Sequence, residues 1–100
     1  MPGMEHVGGA LRAFLRGAGL DKAVARWRVV VEWRRIVGDE IAEHAEAYRF
    51  QRGMLWVAVE SSNWSQHITF LKPRLLEALR RELPDVEIRD IRCVVRRRGA

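Results

Sequence analysis

Apolar residues recur at helical spacing through the first third of the chain. Leu11, Phe14 and Leu15 predict a short amphipathic helix that ends in a glycine-rich stretch. A second, longer helix is predicted from an N-cap at Asp21 to a stop at Gly38, and Asp39 is expected to cap one further turn. The side chains expected on the buried arc of the long helix are Ala23, Trp27, Val30, Val31, Trp33 and Val37.

Two alternating runs follow, joined by a two-residue turn with glycine second, and together they predict a β-hairpin. In this register Phe50 lies opposite Leu55 and Tyr48 lies opposite Val57. We expect these four side chains to face the helices, because successive residues of a strand point to opposite sides of the sheet. The other face is expected to carry Ala47, Arg49, Met54, Trp56 and Ala58.

The last part of the chain predicts one more long helix and one more strand. Ser61 or Ser62 is expected to cap the helix, and Pro73 to kink or split it. The segment Val86–Val95 predicts the strand, with an irregularity near Arg89-Asp90 where the apolar phase changes. The strand is expected to place Ile91, Cys93 and Val95 on one face and Arg92, Val94 and Arg96 on the other.

The predicted order is helix, helix, strand, strand, helix, strand. This order is typical of an α+β domain with a small three-stranded sheet and helices packed on one face. We expect a flexible N-terminus at residues 1–9, a single domain at 10–95 and a basic C-terminal tail at 96–100.

Charge makes nucleic acid a candidate partner. The chain carries 18 Lys and Arg against 13 Asp and Glu, for a formal net charge of +5, and only Lys22 and Lys72 are lysines. Arginine makes bidentate contacts to phosphate and stacks on flat rings, which suits nucleic acid. General solubility explains the same charge equally well.

Composition also narrows the cellular setting. Cys93 is the single cysteine, so no disulfide can form within the chain. No apolar run is long enough to span a membrane, and residues 1–9 lack the pattern of a signal peptide. We therefore expect a cytoplasmic protein with no membrane partner.

Catalytic patterns are missing from the sequence. His6, His44 and His67 lie on separate predicted elements, and the Glu40–His44 pair has no second pair with matching spacing. There is no P-loop, no dinucleotide fingerprint and no Gly-x-x-Gly loop. We expect no enzyme activity, no metal site, no cofactor and no small-molecule substrate.

The outer face of the predicted sheet is the candidate binding site, because it sets one tryptophan among arginines. Such a ring can stack on a base while the arginines hold the flanking phosphates. The predicted nucleic-acid-binding residues are Arg49, Trp56, Arg92, Arg96, Arg97 and Arg98. Two alternatives stay open at this point. The same residue types are enriched at protein interfaces, and the N-terminal helix or the C-terminal tail would cover the patch in a purely structural role.

Two other tryptophans are interpreted as core residues, because Trp33 and Trp64 fall on the apolar arcs of their helices. Ser61 and Ser62 are interpreted mainly as helix caps. A phosphate bound at that helix start is the alternative, since free N–H groups attract anions.

Two blocks of the sequence carry a family resemblance. Residues 33–44, WRRIVGDEIAEH, follow the pattern W-x-x-[IV]-V-G-x-x-[IL]-A-x-H, and residues 53–66, GMLWVAVESSNWSQ, follow G-x-L-x-V-x-V-x-S-S-x-W-x-Q. With LKPRLL at 71–76 and the last strand, the chain resembles the DciA family over about residues 8–96. The motif positions that we expect to fix the fold are Trp33, Gly38, Ser61, Ser62 and Trp64.

The resemblance implies a KH-like α+β domain that acts with the bacterial replicative helicase. It implies a non-enzymatic DNA-replication accessory protein that binds this helicase and single-stranded DNA and assists helicase loading. The alternative is a general single-stranded nucleic-acid module, for RNA or DNA, without a dedicated helicase partner. A third interpretation is a protein-interaction domain whose basic charge is incidental.

Overall fold

Helices and strands follow one another in the predicted order in the computed structural model, which describes residues 9–11, 13–14, 16–17 and 19–96. The described residues before 18 are helical. The later helices are α1 (Asp21–Val37), the one-turn α2 (Asp39–Ala42) and α3 (Ser62–Glu82), and the strands are β1 (Ala45–Gln51), β2 (Met54–Val59) and β3 (Asp90–Val95). The predicted flexible N-terminus and basic tail lie outside the described residues, apart from Gly9 and Arg96.

The three strands form one mixed sheet with β2 at its centre. Strand β2 pairs antiparallel with β1 and parallel with β3. A parallel neighbour needs a crossover connection, and α3 supplies it between β2 and β3. The predicted α+β class with a three-stranded sheet and packed helices is therefore confirmed.

The hairpin turn between β1 and β2 also positions the start of β3. Arg52 and Gly53 have φ angles of 54° and 81°, as a two-residue type I′ turn requires. The carbonyl oxygen of Gly53 accepts the backbone N–H groups of Arg89 at 2.7 Å and Asp90 at 3.3 Å. The turn thus fixes where β3 joins the sheet.

A bulge in β1 changes the predicted face of several residues. Phe50 pairs with Leu55 as predicted, but the register shifts between Ala47 and Arg49, and Ala47 rather than Tyr48 lies opposite Val57. The prediction for Tyr48 and the outer placement of Ala47 are therefore wrong: Ala47 is 5% exposed. The inserted residue reverses the alternation, so Ala45, Ala47 and Phe50 all point into the core.

The core lies between the inner face of the sheet and the two long helices. Strand residues Leu55, Val57 and Val59 are at most 1% exposed. Helix α3 contributes Ile68, Leu75 and Leu79, and α1 contributes Val29 and Trp33. These side chains belong to one buried cluster, so the helices and the sheet form a single packed unit.

Part of the predicted α1 arc is wrong, because Trp27 and Val31 are 66% and 52% exposed. Val29, which the arc omitted, is fully buried. The helix carries apolar residues on two sides, and periodicity does not say which side meets the sheet.

Helix ends depart from the predicted caps at two places. Asp21 is the first residue of α1 rather than its N-cap, and the preceding Leu20 makes no side-chain cap bond. Asp39 likewise begins α2 without capping it, and instead accepts a hydrogen bond from Arg34 at 2.9 Å. Gly38 ends α1 with a φ of 94° and donates its N–H to the Arg34 carbonyl.

The last helix and strand differ from prediction in their extents. Pro73 does not split α3, which is continuous to Glu82. Strand β3 begins at Asp90, later than predicted, and Val86 and Ile88 are buried in an irregular segment before it. Arg80 holds this segment by donating Nε–H to the Ile88 carbonyl at 2.9 Å.

Candidate nucleic-acid interface

The outer face of the sheet points away from the core. On β2 the side chains alternate between buried Leu55 and Val57 and half-buried Met54, Trp56 and Ala58. The core cluster, with its helical members, includes none of the three half-buried residues. The outer face is therefore not covered by the helices that the structure describes.

Trp56 lies on the central strand between two arginines, one on each neighbouring strand. The register pairs Trp56 with Arg49 on β1 and with Arg92 on β3. The guanidinium carbons of Arg49 and Arg92 lie 5.9 and 5.4 Å from the centroid of the indole. Both distances fall within the reach of cation–π attraction, so each arginine is held beside the ring. These three predicted site residues are brought together.

Arg96 takes a different place from the one predicted beside Trp56. Its guanidinium carbon lies 4.1 Å from the ring centroid of Tyr48, and its backbone N–H donates to the Val59 carbonyl at 2.8 Å. Tyr48 is thus a second aromatic residue paired with an arginine, and sequence reasoning missed it. The signal that could have found it is the alternation of apolar Ala45 and Ala47 with charged Glu46, because continuing this phase puts Tyr48 on the outer face.

The remaining predicted basic residues, Arg97 and Arg98, lie outside the described residues and stay predictions. They follow Arg96 directly in the chain.

Charge is unevenly distributed around this face. Near the hairpin turn a depression of about 490 Å³ is lined by Arg49, Gln51, Arg52, Met54 and Trp56. At the opposite ends of β1 and β2, a depression of about 210 Å³ is lined by Glu43, His44, Glu46, Ala58, Val59, Glu60 and Arg96. An anionic strand would be attracted to the first region and repelled by the carboxylates of the second.

The stretch from Glu60 to His67 is a structural joint between β2 and α3. Ser61 caps the helix, since its Oγ accepts the Trp64 N–H at 3.2 Å. The Trp64 indole stacks on the His44 imidazole at a centroid distance of 4.3 Å. His44 in turn pairs with Glu60 through Nδ1. Ser62 is the first helical residue and is exposed.

The two tryptophans interpreted as core residues differ in burial. Trp33 is 2% exposed and donates Nε1–H to the Ala45 carbonyl at 2.8 Å. Trp64 is only half-buried and packs at the edge of the core. Neither ring is on the outer sheet face.

The part of the chain that the structure describes gives little support for a metal site or a reactive thiol. No three His, Cys, Asp or Glu side chains there are grouped so that they could hold a metal ion. Burial raises the pKa of the Cys93 thiol, which favours the neutral form. None of the described helices is both long enough and apolar enough to cross a membrane.

The sequence of this chain matches a known protein family and several curated proteins. The model of the family described as "Dna[CI] antecedent, DciA" matches residues 6–93. A UPF0232 protein of Bifidobacterium longum is 37% identical over 60 residues, which are 60% of this chain and 38% of the relative. A UPF0232 protein of Mycolicibacterium smegmatis is 27% identical over 90 residues, which are 90% of this chain and 46% of the relative.

A third relative, a UPF0232 protein of Mycobacterium tuberculosis, is 32% identical over 72 residues, 72% of this chain and 38% of the relative. The matched part of the chain thus spans less than half the length of each of these three relatives. The family match extends from before α1 into β3 and so includes both the core and the outer sheet face. On this match the chain belongs to the DciA family.

Proposed function

We propose that this chain is a non-enzymatic DNA-replication accessory protein of the bacterial cytoplasm, which binds single-stranded DNA and the replicative helicase and assists helicase loading. Membership of the DciA family supports the replication role. The DNA-binding part rests on the outer face of the sheet, and the helicase would be engaged by a separate surface.

The observation that carries the DNA-binding part is the position of Trp56 between Arg49 and Arg92. A base of any identity can stack on the open side of a half-buried aromatic ring such as Trp56, because every base has a π face. The flanking guanidinium groups are exposed and are held within 6 Å of the ring centroid, close enough to neutralise the phosphates on either side of a stacked base. Tyr48 with Arg96 is a similar pair of a ring and a guanidinium group, but Arg96 lines the acidic depression, so the proposal rests on Trp56. The proposed mode is therefore tolerant of base sequence and dependent on salt.

Fluorescence anisotropy of a labelled single-stranded oligonucleotide tests the stacking step. Trp56→Ala is expected to weaken binding by about 1–3 kcal/mol, the usual contribution of one base–aromatic stack. The matched control is Phe70→Ala, which removes an 81% exposed ring on α3, remote from the outer face. Equal affinities for the Trp56 variant and the wild type would contradict the proposal.

The salt dependence of the same affinity tests the arginines. Each phosphate contact to a single strand contributes about 0.7 to the slope of log affinity against log salt. Arg92→Ala is expected to reduce the slope by about that amount, while Arg74→Ala, which removes an equal charge from α3, is expected to leave it unchanged. An affinity independent of salt would exclude the electrostatic half of the proposal.

The helicase part needs a direct measurement of complex formation. Size-exclusion chromatography with light scattering, on this chain mixed with the replicative helicase of the same organism, is expected to give a complex of defined stoichiometry. The measurement is made with and without single-stranded DNA. Separate elution at low and moderate salt, with DNA binding intact, would instead favour a general single-stranded nucleic-acid module.

For a general single-stranded nucleic-acid module, competition between RNA and DNA of matched sequence measures which of the two is preferred. Contacts to the 2′-hydroxyl would favour RNA. The third interpretation, a protein-interaction domain, predicts a different result. In that case Trp56→Ala weakens a protein complex while DNA binding is undetectable.

A further inference from the structure

Helix α1 carries a second apolar stripe on the side that faces away from the sheet. The stripe consists of Leu20, which directly precedes α1, and of Val24, Trp27 and Val31 within the helix, and these four are 47%, 37%, 66% and 52% exposed. The buried residues Val29 and Trp33 lie on the opposite side of the same helix. Nothing in the described part of the chain covers the stripe.

The spacing of the stripe is that of a seam between two paired helices. Its members follow one another at intervals of four, three and four residues, which is the a and d pattern of a coiled coil. Counting Leu20 and Trp27 as d places the β-branched Val24 and Val31 at a. Valine at a favours pairs of helices over larger assemblies, and of the two d positions Leu20 carries the leucine that goes with this preference. The helix needs no coiled coil to stay folded, because its other side is already held by the core.

The charges beside the stripe favour an identical partner over a charged one. Three arginines border it, and each is paired within its own chain. Arg28 lies 2.6 Å from Asp85 and Arg34 lies 2.9 Å from Asp39, while Arg35 pairs with Glu32 and lies 3.7 Å from Glu82. An acidic partner would find these positive charges already matched. A second copy would meet a neutral rim, although the whole chain has a net charge of +5.

The size of the stripe fits a modest interface. A helix of 17 residues is about 25 Å long, and one aromatic side chain can bury about 150–250 Å². Trp27, the three smaller aliphatic side chains and their flanks amount to a patch on the order of several hundred Å², the size of the largest apolar patches on monomeric proteins, which are often functional. A standard interface buries about 800 Å² per partner, so the association should be weak.

We propose that α1 pairs with the α1 of a second copy of this chain through the stripe of Leu20, Val24, Trp27 and Val31. The stripe and the outer sheet face lie on opposite sides of the molecule, because α1 separates the stripe from the core and the sheet separates the core from Trp56. Both Trp56 faces of such a dimer stay accessible. The inference does not depend on the proposed function.

Sedimentation velocity at increasing protein concentration tests the pairing. The wild-type mass is expected to rise from that of one 11.6 kDa chain towards twice that value. Trp27→Glu and Val31→Lys are each expected to raise the dissociation constant about tenfold or more, since a buried charge of either sign opposes the apolar contact. Phe70→Glu, which alters an exposed ring on α3, is expected to match the wild type.

Two results would overturn the proposal: a wild-type chain that stays monomeric at every concentration, or stripe variants that associate as the wild type does. A monomeric wild type whose helicase complex is lost in Trp27→Glu would assign the stripe to the helicase instead. Circular dichroism melts of each variant exclude unfolding as the cause. DNA affinity at low protein concentration is measured in parallel, and it is expected to be unchanged in Trp27→Glu.

Discussion

The indole N–H of Trp33 donates a hydrogen bond of 2.8 Å to the backbone carbonyl of Ala45. The ring is 2% exposed, and Ala45 begins β1. One side chain thus joins α1 to the strand that carries Tyr48 and Arg49. The bond matters because a buried carbonyl without a partner is costly.

Trp33→Phe keeps an aromatic ring but leaves the Ala45 carbonyl without this donor. The lost bond and the smaller ring are expected to lower the free energy of unfolding by at least about 2 kcal/mol. Urea denaturation followed by circular dichroism measures the change. Trp27→Phe is the control, and this exposed position is expected to change stability by less than about 0.5 kcal/mol. Similar losses in the two variants would contradict the assigned role of Trp33.

Gly53→Ala tests the hairpin turn. Gly53 has a φ of 81°, and a Cβ there would meet Cγ of Arg89 at 2.7 Å. The left-handed backbone alone is expected to cost about 1–2 kcal/mol, and the displaced arginine adds to that cost. The control is Gly17→Ala, because Gly17 is helical and a Cβ there meets nothing within 4 Å. That control is expected to stabilise the chain or leave it unchanged, and a thermal melt compares the two.

Ser61→Ala tests the joint before α3. The Ser61 hydroxyl accepts the Trp64 N–H, so its loss is expected to cost about 1 kcal/mol of folding stability. Ser62 is the adjacent control, because it begins the helix and is not the cap. If Ser62→Ala destabilised the chain more than Ser61→Ala in urea denaturation, the cap assignment would be wrong.

Asp90 is expected to make the stability of the fold depend on pH. Its carboxylate accepts the Ile91 N–H at 2.8 Å and lies 3.1 Å from Nζ of Lys72. The backbone hydrogen bond first, and then Lys72, lower the pKa of Asp90 in the folded chain. A lowered folded pKa means that the carboxylate stabilises the fold above the unfolded pKa of about 4 and loses this effect as the pH falls.

Asp90→Asn is therefore expected to lower the free energy of unfolding at neutral pH. It is also expected to make that free energy fall less steeply as the pH drops below about 4. Lys72→Met should flatten the decline in part, since it removes the second cause only. Urea denaturation at a series of pH values provides the test. Parallel stability curves for Asp90→Asn and the wild type would show that Asp90 does not contribute in this way.

Local patterns predicted the elements of this fold well, because the long helices and the hairpin have strong periodicity. The glycine after Val37 and the serine before α3 mark real helix ends. Apolar content could not decide which side of α1 meets the sheet, since Trp27 and Val31 are as apolar as Val29. The choice depends on the shape of the sheet surface, which is not local.

The candidate site was predictable in part. The alternation of side chains along β2 placed Trp56 on the outer face, and the same alternation along β3 placed Arg92 beside it. Tyr48 was misplaced because one inserted residue in β1 reverses the faces before it. A bulge is set by packing across the sheet, and Ala45 and Ala47 carry only a faint sign of it in the sequence.

The most direct test of the central claim is the set of indole N–H signals in an NMR titration with single-stranded DNA. The four tryptophans give four separate probes: Trp27 on the outer side of α1, Trp33 in the core, Trp64 at the α3 joint and Trp56 on the sheet face. We expect the Trp56 signal to shift with increasing DNA while the Trp33 signal stays in place. A titration in which other signals move and the Trp56 signal does not would contradict the outer sheet face as the DNA-binding site.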